Sequence, residues 1–484
     1  MLGHLLSKQF VFISLLTVFI QPMYAAPVTL NVIEKTMMVN GKPSRVFDVS
    51  RPDGKWGIEA NKGDLFDVNV VNKTRVPLTL HWHGIVDPNP EDGVPYVTQK
   101  PIPPGSSRHY QYTLKQSGTY WFHSHYQLQE QKLMAGPLII HDPADKIEPE
   151  AVMFVQDFSF TDPKILYENL RNNKTPMDMS KHHSMGSKPD LNDVKFDAYL
   201  TNHKTLNNPE IVRVTPGQTI RLRIINASAS SSYYVDFGKL TGQLIAIDGE
   251  NIQPISEKRF QMTIGNRLDV RVTIPSGEGA YPILALPEGT KQQTGLILAT
   301  ANAQIPQLTE TRAAMTPALD YSQETRLHPL NPFQDKPIQQ TLRYKLNGDM
   351  QPYAWTINGQ EWPYVTPLIV KPNQRVAIVF ENVSGMAHPM HIHGHIFQVI
   401  EINGKKVNGR KGDTFDVMPN STFKIIFDTD NRGIWVLHCH ILYHMMGGMM
   451  TTVNYAGYPD KFTTAERAAG EHLYENASQP LQTQ

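Results

Sequence analysis

Residues 63–72 read GDLFDVNVVN, residues 217–226 read GQTIRLRIIN and residues 373–382 read NQRVAIVFEN. Apolar and polar side chains alternate along them, the period-two pattern of a strand with one buried face. Nine residues past each closing asparagine the chain reads HWHG from His81, VDFG from Val235 and HIHG from His391, so Gly84, Gly238 and Gly394 fall in register. A framework recurring three times at equal spacing predicts three copies of one β-domain. A length of 484 residues agrees with that number at about 150 residues per domain. Short alternating runs broken by Gly, Pro, Asn and Asp make the whole chain all-β, a set of sandwiches or barrels. Helical periodicity is confined mainly to residues 163–172 and the tail after 459. The organisation expected is a leader over 1–26, β-domains over 27–145, 146–305 and 341–484, and a linker over 306–340.

Composition narrows the partners. With 45 basic and 45 acidic residues the formal net charge is zero, which gives no reason to expect nucleic acid or an anionic surface as partner. Cys439 is the only cysteine, so no intrachain disulfide is possible and the core must carry stability. Residues 1–26 combine Lys8, an apolar run over 10–20 and the small pair Ala25 and Ala26, the pattern of a secretory signal peptide. A periplasmic or secreted protein is expected, with no stable membrane association, because no later apolar run approaches 18 residues. Three joined domains can build an interdomain site by themselves, so a monomer is expected.

The outer repeats differ from the middle one in their histidines. The first carries His81 and His83, then His123 and His125; the third carries His391 and His393, then His438 and His440; the middle has Val235 and Phe237 instead. On a strand, residues i and i+2 share a face, so each pair presents two imidazoles together. Eight convergent imidazoles are a metal centre, and imidazole alone suits Zn, Cu, Ni or Fe. Cys439 faces away from His438 and His440 and belongs to a second site, with His444 five residues on, Met449 beyond it and His388 as the candidate second imidazole. Two histidines, a thiolate and a weak axial methionine make a blue-copper electron-transfer site.

HWHG from His81, HSH from His123, HPMHIHGH from His388 and HCHILYHMMGGMM from His438 resemble the four copper motifs of multicopper oxidases. YWFHSH from Tyr120 and DGVP at 92–95 are most similar to bacterial copper-resistance members. The resemblance implies three cupredoxin-like Greek-key domains and four copper ions. It implies that His388, Cys439, His444 and axial Met449 hold the type 1 copper, and that His81 and His391 hold the type 2 copper. His83, His123 and His440 would hold one type 3 copper, with His125, His393 and His438 holding the other. Electrons would enter at Cys439 and pass to its neighbours His438 and His440, with dioxygen reduced to water at the cluster. Asp92 matches an acid beside the cluster that donates protons or orients a ligand. Met445 and Met446 stand where several relatives have a carboxylate.

The reductant divides the expectations. Met386, two residues before His388, and Met177, Met179, His182, His183 and Met185 are candidate ligands for substrate Cu(I), because thioether and imidazole suit that ion. They favour a cuprous oxidase of copper tolerance. A laccase-type oxidase of phenols and aromatic amines shares every copper ligand, and a copper-binding or assembly protein on the same fold is the non-enzymatic alternative.

Overall fold

The structure, a computed structural model, describes residues 27–145, 147–172 and 191–472. The leader and the candidates Met177, Met179, His182, His183 and Met185 lie outside the described residues.

Among the described residues the strands form six sheets, two in each of three stretches of chain. Residues 28–141 make two four-stranded sheets, residues 150–299 a six- and a five-stranded sheet, and residues 340–455 a seven- and a five-stranded sheet. The three framework strands occupy the same place in each. Leu65–Asn72 runs parallel to Val28–Val39 and antiparallel to Ser107–Thr113. Thr219–Asn226 does the same with Glu150–Phe158 and Arg267–Thr273. Arg375–Asn382 does so with Gln340–Asp349 and Ser421–Asp428.

The closing asparagines explain why the repeat ends as it does. Asn72, Asn226 and Asn382 are fully buried, where an unpaired amide would be costly. Each donates its Nδ2 to two carbonyls: Val76 and Ile102, Ser231 and Met262, Met386 and Val417. Each accepts at Oδ1 from the N–H two residues on, at Thr74, Ser228 or Ser384. The asparagine thus staples the turn that carries the chain into the other sheet. The register glycines Gly84, Gly238 and Gly394 have φ of 87°, 58° and 63°, a left-handed turn that a side chain disfavours.

The next strand pair is equivalent in all three domains. His81 lies opposite His123 and His391 opposite His438, whereas in the middle domain Val235 lies opposite Ala285. Val235, Phe237 and Ala285 are fully buried. The middle domain has filled with hydrocarbon the place where the outer two gather imidazoles.

Helix is sparse, as expected. Pro163–Arg171 is capped by Asp162, whose carboxylate accepts from the Lys164 N–H, and Thr464–His472 forms in the tail. A third helix, Leu442–Met446, interrupts the motif that begins at His438.

Candidate metal centre

Strand Ile434–Cys439 pairs with His388–Ile392, placing Met390 opposite Cys439. The motif reads as a strand in sequence, but the strand stops at Cys439 and the helix Leu442–Met446 turns His444 back over the thiol. Gly448, at φ 113°, lets the chain return, since a Cβ there would lie 2.8 Å from the Glu361 side chain and 2.9 Å from the Trp355 carbonyl. Cys439 Sγ comes 3.7 Å from His388 Nδ1 and 3.6 Å from His444 Nδ1. Met449 is fully buried beside them; its carbonyl accepts from the Cys439 N–H and its N–H donates to the His444 carbonyl, both at 3.0 Å.

The partners of the outer ring nitrogens mark these atoms as ligands. His444 Nε2 donates to Asp193 at 2.9 Å, and His388 Nε2 donates to Ser384 Oγ at 2.7 Å, whose own proton goes to Asn382. Burial depresses His388 well below the ordinary imidazole range, so it is neutral at pH 7. A neutral imidazole holding its proton on Nε2 has a bare lone pair on Nδ1. The two Nδ1 atoms stand 3.2 Å apart and converge with Cys439 Sγ on one point. A cation placed there is held by all three donors. Burial also pushes the Cys439 thiol well above its ordinary value, so its thiolate forms only against a positive charge.

The eight paired histidines converge elsewhere, at the meeting of the first and third domains, none more than 5 % exposed. Burial, and the other imidazoles beside them, hold His83, His123, His125, His393, His438 and His440 well below 6.5. His393 Nδ1 donates to Asp92 at 3.1 Å and His438 Nδ1 to the Cys439 carbonyl at 2.9 Å, leaving bare Nε2 atoms 3.2 Å apart. His125 Nε2 lies 3.5 Å from that of His438, and these three nitrogens form one candidate ligand group. His83 gives its Nε2 proton to Asp413 at 3.1 Å, and its Nδ1 meets His440 Nε2 at 3.1 Å. The His123 ring centroid is 5.1 Å from that of His440 and 5.7 Å from that of His83. His81 Nδ1 donates to the Asp92 carbonyl at 2.8 Å and His391 Nδ1 to the Asp413 carbonyl at 2.9 Å. The Nε2 atoms of His81, His123 and His391 are buried with no hydrogen-bond partner. Orphaned lone pairs that converge are a donor set for copper.

Asp92 is fully buried on these rings, its carboxylate on His393 and its carbonyl on His81. Met386 is buried near His388 in the cavity described below. Several orienting residues went unnoticed in the sequence. Asp413 serves His83 and His391; burial works to raise its carboxyl, and Arg267, with hydrogen bonds from His391 and His83, overrides that and leaves it well below the usual range. Arg267 of the middle domain donates to both Asp413 oxygens at 2.8 and 2.6 Å and to the Thr119 carbonyl of the first domain at 3.0 Å. Glu130 holds His123 Nδ1 at 2.8 Å. Asp193, bonded also by the Tyr353 hydroxyl, holds His444. Gly265, in a left-handed turn, lies so close that a Cβ would come 3.1 Å from His83 and 3.3 Å from His440.

Comparison with known proteins agrees with this geometry. Family models described as multicopper oxidase match residues 50–145, 150–306 and 335–457. The chain is 30 % identical over 417 residues to the multicopper oxidase MmcO of Mycobacterium tuberculosis, covering 82 % of this chain and 81 % of that one. It is 25 % identical to a copper resistance protein A homolog of Pseudomonas syringae pv. tomato, over 81 % of this chain and 86 % of that one. It superposes on the crystal structure of Fet3p, a multicopper oxidase that functions in iron import, with a TM-score of 0.75 and 20 % identity over 92 % and 94 % of the two chains. The chain belongs to the multicopper oxidase family. It is an oxidoreductase of three cupredoxin domains that takes electrons from a reducing substrate to oxygen, and its cofactor is copper.

Proposed function

We propose that the chain is a cuprous oxidase acting in copper tolerance, in the periplasm or outside the cell, as a monomer holding four copper ions. His388, Cys439, His444 and Met449 hold the type 1 ion, His81 and His391 the type 2 ion, and the triads His83, His123, His440 and His125, His393, His438 the type 3 pair. Copper so bound supplies one-electron acceptance at the cysteine site and four-electron reduction of dioxygen to water at the cluster. Cys439 links the two through its backbone to His438 and His440. Asp92 fixes the tautomers of His81 and His393 and is the candidate proton donor.

One observation carries the choice of substrate. At the junction of the middle and third domains, next to His388, lies a cavity of about 40 Å³ lined by Met386, Met418, Glu288 and Asp416 among others. Thioethers suit Cu(I), and the space holds an ion or a water or two. Both imidazoles of the cysteine site are fully buried, so an aromatic reductant meets no exposed ring edge. Leu191 also lines the cavity.

Oxygen uptake by the copper-loaded enzyme tests the reading with Cu(I) and a phenol as alternative donors. Turnover with Cu(I) that falls tenfold or more in M386L/M418L, with any phenol turnover spared, is expected; deletion of residues 177–185 should raise KM for Cu(I). Phenol turnover alone would establish the laccase-type alternative, and no uptake with either donor would remove both.

A further inference from the structure

A second cavity, also about 40 Å³, lies against the helix Leu442–Met446. Met445, Met446 and Met450 line it, together with His125, Trp362 and Tyr126. His125 is 5 % exposed, the most of the eight cluster histidines. The cavity is therefore where the cluster comes nearest to the outside.

We propose that Met445, Met446 and Met450 form a cuprous entry site through which Cu(I) reaches the His125 side of the cluster during copper loading. This rests on the reading that His125 holds copper. Three thioethers within six residues give soft, neutral donors, which select Cu(I) over hydrated divalent ions. No carboxylate lines the cavity, and its one charged group, Arg467, is paired with Asp460 at 2.7 Å. A hard dication would thus enter without compensation. Packing alone would be served as well by leucine; the thioethers add a donor at each position, beside a neutral imidazole. The helix Thr464–His472 roofs the site: Arg467 Nε donates to the Tyr96 carbonyl at 3.0 Å, and a Cβ on Gly470 would come 2.4 Å from the Tyr96 ring. That roof leaves room for an ion and excludes larger reductants. Transfer is a ligand exchange, thioether to imidazole, and copper stays Cu(I) throughout.

The test loads the copper-free full chain under argon with Cu(I) supplied as its bicinchoninate complex. Filling of the cysteine site is followed by the blue absorption developed on oxidation, and total copper by atomic absorption. In M445L/M446L/M450L the cluster should fill at least tenfold more slowly than in the wild type. The cysteine site should fill at an unchanged rate, and the final content should still be four copper ions. The single variant M446L, at the least buried of the three, should slow filling by a smaller factor and serves if the triple variant does not fold. Cluster filling at the wild-type rate in M446L and in any folded triple variant would overturn the entry site while leaving the cluster assignment intact. A wild-type chain that holds copper only at Cys439 would overturn the cluster assignment and the entry site with it.

Discussion

A histidine that gives its one proton to a neighbour commits the other nitrogen to whatever lies opposite. In this chain the neighbours are carboxylates and carbonyls, and between His393 and His438 what lies opposite is another bare nitrogen. The ligand residues were legible because histidines at i and i+2 on a strand can face only one way. Their partners Asp413, Asp193, Glu130 and Arg267 were not, because each is one acid or base among 90 charged residues and none sits at a spacing that the chemistry requires. Glu288 offers a prediction at this scale. It is 7 % exposed, accepts from the Leu319 N–H, and burial lifts its carboxyl to about 8. Its folded value lies above the ordinary 4.5, so the folded state holds the proton more tightly, and stability should fall as pH rises from about 4.5 to about 8. Glu288→Gln should flatten that slope, with a Tm advantage over wild type that grows across the interval; equal slopes in thermal melts would refute it.

At the scale of the element, the framework strands were legible from alternation and the repeat from equal spacing. The role of the closing asparagines waited for the turn on which each is clasped. Asn226 tests that role away from any copper ligand. Asn226→Ala removes bonds to Ser231, Met262 and Ser228 and should cost about 2–4 kcal/mol in urea unfolding of the copper-free chain, given about 1 kcal/mol per bond and the penalty for stranded buried groups. Copper content after loading should be unchanged. The helix Leu442–Met446 was not legible, since five residues carry too little periodicity and middle-domain partners hold it. The Leu442 N–H donates to the Ala229 carbonyl and the Met446 carbonyl accepts from the Tyr167 hydroxyl, both at 2.8 Å. That helix, rather than strand geometry, brings His444 to Cys439. The tail helix, expected only as a surface element, docks on the loop around Tyr96.

Across the whole molecule, eight histidines from two domains converge, with bare nitrogens of His393 and His438 facing each other and the Nε2 atoms of His81, His123 and His391 buried without a partner, which costs free energy until a cation sits among them. Chelation should therefore lower Tm well below that of the loaded enzyme, and readdition of copper should restore it, by the mass-action rule that a ligand of the native state stabilises it. Differential scanning calorimetry at fixed protein concentration reads the effect; identical melts would contradict it. The middle domain does more than space the outer two. Arg267 binds the Thr119 carbonyl on one side and Asp413 on the other, and Gly265 allows the close approach to His83 and His440.

The sequence by itself determined the threefold β repeat, the four histidine pairs and the thiolate that selects copper, because these follow from strand period and ligand chemistry, both local. Only the tertiary structure decided which imidazole nitrogens are left without a protein partner, which buried acids orient the rings, and which thioethers border a cavity. Those properties depend on groups far apart in sequence, 357 residues for His83 and His440. Burial gives them their energetic weight, and no local pattern records it.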